Sequence, residues 1–128
     1  MRAPTWTRPT TNGATPLLIA CENGHTDVVT KLIAANANVK QADNEGFTPL
    51  HIACDQGHTE VVAKLLAANA EVDQADNYGT TPMLIACQEG HTEVVESLIA
   101  ANADMNQADD YGDTPLYIAC QNLSLIHI

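Results

Sequence analysis

The 128-residue sequence predicts an all-α protein, a solenoid of stacked helix-turn-helix units with β-turn or hairpin loops projecting from one side. Three observations carry that prediction. Thr-Pro recurs at Thr15-Pro16, Thr48-Pro49, Thr81-Pro82 and Thr114-Pro115, each pair 33 residues after the last. A fixed interval of this length marks a repeat architecture, whose units cannot bury their apolar faces alone and must stack. Within each interval the apolar residues fall into two short helical segments. Aromatic side chains make up only 4% of the chain against 45% apolar residues, so the core must be built from Leu, Ile, Val and Ala.

The second unit shows each element in turn. Asp43-Asn44-Glu45-Gly46 is turn chemistry. Thr48 then offers a hydroxyl N-cap, and Pro49 takes the first helical position, where its missing N–H costs nothing. Leu50, Ile52, Ala53 and Cys54 carry a short apolar helix, and Gly57 ends it by adopting a left-handed conformation. A second helix starts near His58-Thr59, with Glu60 placing negative charge beside its positive end, as Asp27 and Glu93 do in their units. Val61, Val62, Leu65 and Leu66 form one stripe of that helix. Asn69, like Asn36 and Asn102, follows it, and Asn ranks next after Gly for a left-handed helix end.

Three full units run 10–42, 43–75 and 76–108, and a partial one runs 109–122. Residues 1–9 form an irregular N-terminal segment outside the pattern. After Asn122 the pattern predicts Gly-His-Thr-Glu-Val-Val, but the chain reads Leu123-Ser124-Leu125-Ile126-His127-Ile128. That string is also the translation of CTG TCT CTT ATA CAC ATC, which looks like a transposon adaptor end. We therefore expect residues 123–128 to be a non-native adaptor-derived tail and the array to be a fragment.

The residues above resemble the ankyrin repeat family. The resemblance rests on the Asp-x-x-Gly turns, Thr-Pro-Leu, Ala-Cys where the family has Ala-Ala, Gly-His, Val-Val-x-x-Leu and the 33-residue period, and it covers about 10–122. The family's His after Thr-Pro-Leu survives only as His51. Leu18, Leu84 and Tyr117 replace it in the other units, which implies that the lost His hydrogen bonds loosen those repeats. The resemblance further implies that His25, His58 and His91 tie neighbouring repeats together. It also implies that turn tips and the ends of the first helices line a concave, partner-binding groove.

Composition excludes several functions. A net charge of −11 leaves no basic face for nucleic acid and no attraction to anionic lipid. No apolar run is long enough to span a membrane. Cys21, Cys54, Cys87 and Cys120 share one place in successive units, and stacked helices lie about 8–10 Å apart. Disulfides need α-carbons within about 7 Å. We expect reduced, buried thiols and an intracellular location, cytoplasmic or nuclear. The Cys-x-x-x-His spacing of Cys54 and His58 recurs with no third ligand or orienting acid, so it predicts neither a metal site nor catalysis. Phosphate loops, serine elbows and paired-carboxylate motifs are missing from the sequence. The expectation is a non-enzyme with no cofactor.

The informative positions vary while the frame stays fixed. They are the turn residues Glu45, Phe47, Tyr78, Thr80, Tyr111 and Asp113, joined by Asp55 and Glu89 near the ends of first helices. The sequence reading takes these as partner-binding residues, with Phe47, Tyr78 and Tyr111 as aromatic anchors on rigid loops. The acidic excess falls in the second and later units, which favours a basic protein partner through steering. Self-association through uncapped ends is a further expectation. The alternative reading is the targeting or regulatory part of a larger enzyme, of ligase or kinase type, with its catalytic domain elsewhere.

Overall fold

The computed structural model of the protein describes residues 13–126, with side chains through Gln121. The sequence-based expectations for residues 1–12 and for His127 and Ile128 lie outside the described residues. The elements are α1 (Pro16–Asn23), α2 (Thr26–Ala34), α3 (Pro49–Gln56), α4 (Thr59–Ala67), α5 (Pro82–Glu89), α6 (Thr92–Ala100) and α7 (Pro115–Ile126). The described residues contain no strand.

Each helix start follows from its own residues. Thr15, Thr48 and Thr81 are extended N-caps whose hydroxyls accept the N–H of Leu18, His51 and Leu84, with proline following directly. Gly57 ends α3 at φ 72°, where its N–H bonds back to the carbonyls of Ala53 and Cys54. Leu123 stands where Gly24, Gly57 and Gly90 stand in earlier units, and α7 runs on through it to Ile126. The second helices carry Asp27, Glu60 or Glu93 in their first turn and end ahead of Asn36, Asn69 and Asn102. These three asparagines take left-handed φ values of 67°, 68° and 65°. An asparagine tolerates this region far better than a branched residue does.

The units stack in two layers. The first helices form the row α1·α3·α5·α7, the second helices form α2·α4·α6, and each unit pairs its own two helices. One continuous apolar core runs along the stack, including Leu17, Leu50 and Met83 from the first layer and Val29, Val62 and Leu98 from the second. It contains a single ring, that of Phe47. Leu18 and Leu84 are as deeply buried as His51, and no buried side-chain polar atom among the described residues lacks a partner. Leucine therefore fills the histidine position at units one and three as a buried side chain.

Candidate functional site

The projecting turns are built by aspartate. Asp43 closes its turn by accepting, at one carboxylate oxygen, the N–H groups of Glu45 (2.9 Å) and Phe47 (3.0 Å), while its own N–H reaches the Phe47 carbonyl (3.0 Å). Asp76 binds Tyr78 and Thr80 in the same way at 2.8 and 2.9 Å, and Asp109 binds Tyr111 and Asp113 at 2.9 Å each. These aspartates are consumed by local hydrogen bonding. The acids left for a partner are Glu45, Asp110 and Asp113 on the turns.

Successive turns are stitched together. The Asn77 N–H donates to the Glu45 carbonyl and the Asp110 N–H to the Tyr78 carbonyl, both at 3.0 Å. The Asn77 side-chain amide adds a bond to the Asn44 carbonyl at 3.0 Å. Glu45, Tyr78 and Tyr111 therefore stand in one row at the same place on three joined turns. All three are exposed, Tyr78 by 49% and Tyr111 by 81%. Sequence reasoning missed the linking role of Asn44, Asn77 and Asp110; an Asx residue after each turn aspartate was the available signal.

Phe47 departs from expectation. It is 7% exposed and packs its ring edge-on against His51, with centroids 6.0 Å apart. The residue before the turn glycine points to solvent, whereas the residue after it begins the return toward the core. Phe47 therefore belongs to the interior and is not a docking anchor. Thr80, its counterpart one unit on, is half-buried, and its carbonyl accepts the His51 Nε2–H at 2.8 Å. That bond fixes the tautomer: Nδ1 is then the acceptor for the Thr48 N–H at 3.1 Å. Asp113 is half-buried as well.

At the ends of the first helices Asn23, Gln56, Gln88 and Glu89 are exposed, Asp55 is half-buried and Glu22 is buried. The cations among the described residues are Lys31, Lys40 and Lys64. All three lie on second helices or the loop that follows, and Lys40 pairs with Glu71 at 3.0 Å. The turn and first-helix side of the described chain thus carries acids and no lysine or arginine.

Two of the Gly-His histidines, His58 and His91, act between units. His58 Nε2–H donates to the Glu22 carbonyl (3.3 Å) and His91 Nε2–H to the Asp55 carbonyl (3.1 Å). Their rings are thereby committed to main-chain carbonyls one unit back. Cys21, Cys54 and Cys87 are buried and in no disulfide, and Cys120 is exposed, which corrects the expectation of a fourth buried thiol. Burial pushes the Cys21 thiol up to about 12 and raises Cys54 and Cys87 too; the Asp55 charge adds to the rise at Cys54. A raised pKa keeps these sulfurs protonated and unreactive. No group of three or more His, Cys, Asp and Glu side chains among the described residues could hold a metal ion. No helix among them is long and apolar enough to cross a membrane.

A comparison with curated proteins finds no match. A family model for ankyrin repeats in three copies matches residues 3–76 and 63–127, almost the whole chain. The match agrees with the paired helices, aspartate-closed turns and inter-unit histidines: the chain belongs to the ankyrin repeat family.

Proposed function

We propose that this chain is a non-catalytic binding module whose partner is a protein carrying a basic segment, docked along the turn tips and the adjoining ends of the first helices. Ankyrin repeats are in general protein–protein interaction modules. The observation that carries the finer reading is the joined row of exposed tips, Glu45, Tyr78 and Tyr111, on a side of the chain with no described cation. Inter-turn hydrogen bonds hold the tips before any partner arrives, so little conformational entropy is lost on docking. Exposed tyrosines on a rigid frame supply contact area with few torsions to freeze. Glu89, with Asp55 and Asp113 in part, sets the polarity beside them, and Thr80 contributes through its exposed edge. An intracellular setting, cytoplasmic or nuclear, fits cysteines that are in no disulfide.

The test is site-specific photo-crosslinking in cells. A benzophenone amino acid placed at Tyr78, Tyr111 or Glu89 is expected to trap one and the same partner. The same group at Lys31 or Lys64 is expected to trap none. Equal or stronger adducts from the lysine positions refute the reading. A trapped complex whose affinity ignores added salt refutes the basic character of the partner segment.

A further inference from the structure

The turn tips repeat at a fixed distance, and that distance selects the shape of a ligand. The Asp43 N–H crosses its own turn to the Phe47 carbonyl, and the Asn77 N–H crosses to the neighbouring turn at the Glu45 carbonyl, each at 3.0 Å. The alternation continues from Asp76 to the Thr80 carbonyl (2.9 Å) and from Asp110 to the Tyr78 carbonyl (3.0 Å). Bonds within a turn and between turns thus follow one another along the row, as they do across neighbouring strands. Two such steps of about 4.8 Å put equivalent tips about 9.6 Å apart, in agreement with the roughly 8–10 Å between stacked helices. Turn glycines permit this close approach: a Cβ on Gly46 would fall 2.7 Å from Asn77 Oδ1, and one on Gly79 would fall 2.6 Å from Asp110 Oδ1.

Tyr78 stands on a turn joined main chain to main chain with the turns on both sides, and it is still 49% exposed. Stacking therefore leaves a tip open. In chain order the row presents a carboxylate at Glu45, then an aromatic ring at Tyr78, then a second ring at Tyr111. A strand returns a side chain to one face about every 6.6 Å, or about 13 Å for the next, and misses this spacing. An α-helix returns one after seven residues at about 10.5 Å and overshoots by about 2 Å across three tips. A polyproline II helix has about three residues per turn and a rise of about 3.1 Å, so every third residue returns at about 9.3 Å. That conformation is preformed in proline-rich chain and docks on aromatic side chains with little entropy to lose.

We infer that the partner's basic segment is a polyproline II helix. Its lysine or arginine lies opposite Glu45, and prolines three and six positions away lie opposite Tyr78 and Tyr111. The inference rests on the turn tips being the docking surface, and it adds the shape and register of what docks there. The helix has the same period in both chain directions, so the cation stands at one end of the motif, first or last.

The probes are two fluorescein-labelled, end-capped peptides, one opening with arginine and one closing with it. Each carries prolines three and six positions from the arginine and alanine elsewhere. Titrated with the full chain and followed by anisotropy, one of them is expected to bind saturably, with a Kd of about 10–300 μM. Moving both prolines by one position keeps the composition and breaks the register, and should weaken binding about fivefold or more. In the chain, Tyr78→Ala should weaken it about tenfold, and Glu45→Ala about threefold with a smaller salt dependence. Both residues are exposed on turns, so the helical circular dichroism of each variant is expected to match the parent. No saturable signal from either peptide at about 1 mM overturns the inference, while a partner crosslinked at Tyr78 in cells keeps the tips as the docking surface. Equal binding of the register-shifted peptide overturns it too, as does tighter binding of a helical peptide with arginine and two leucines at seven-residue intervals. Binding indifferent to both chain variants overturns the inference and the docking surface together.

Discussion

The second unit and the first helix of the fourth have closely similar sequences and opposite surroundings. Leu50 is 0% exposed and its counterpart Leu116 is 62% exposed; His51 is 0% and Tyr117 is 52%. Cys54 is buried and Cys120 is exposed. The helices are alike in their start: Thr48 and Thr114 hydroxyls accept an N–H at 3.3 Å, from His51 and Tyr117 respectively. The difference follows the described neighbours, because α3 contacts α1, α4 and α5, whereas the main contact of α7 among the described elements is α5. In a solenoid, local sequence forms the helix, and the adjacent unit decides whether its apolar residues become core.

The strongest test of that comparison sets equivalent leucines against each other. Leu50→Ala removes a fully buried side chain and is expected to cost about 2–5 kcal/mol. Leu116→Ala is expected to cost less than about 0.5 kcal/mol. Urea unfolding of both variants measures the gap, and equal losses would mean that α7 is covered in solution.

A smaller effect is expected at His51, where this unit differs from its leucine-bearing neighbours. His51→Leu leaves the Thr48 N–H and the Thr80 carbonyl without the ring that joins them. The expected loss is about 1–3 kcal/mol. A neutral outcome would show that leucine serves this position as well as histidine does.

The thiols give the smallest effect at neutral pH. Titration with a disulfide reagent should find one fast thiol, Cys120, and three that react only on unfolding. The folded chain holds Cys21, Cys54 and Cys87 above the ordinary thiol pKa of 9.0. Thiolates therefore form more readily in the unfolded chain. Stability from this source is fully present below that pKa and is lost as pH rises through it toward about 12, the value for Cys21. Four fast thiols at neutral pH would remove the distinction between interior and edge.

Much of the fold was legible because each signal acts locally. Thr48-Pro49 starts a helix and Gly57 stops one whatever lies alongside, and Asn69 bends the chain because its own backbone tolerates the left-handed region. The candidate surface was less legible. Tyr78 and Tyr111 stand exposed on their turns, but Phe47, two residues further along its turn, is in the core. Variation at a turn says that a position is not needed for the frame; it does not say which way the side chain points. Asp43, Asp76 and Asp109 read equally well as charge for a partner or as turn closure until their bonds to following N–H groups were seen.

The sequence by itself determined the unit: its period, its two helices, their caps and the glycine and asparagine bends. These depend on dihedral preferences and hydrogen bonds spanning a few residues, and such terms are the same in every copy. Only the tertiary structure decided which copies of an identical residue are buried and which histidine meets a carbonyl one unit back. Those outcomes depend on stacking, since solvent is excluded by atoms that lie about one repeat away in sequence and directly alongside in space.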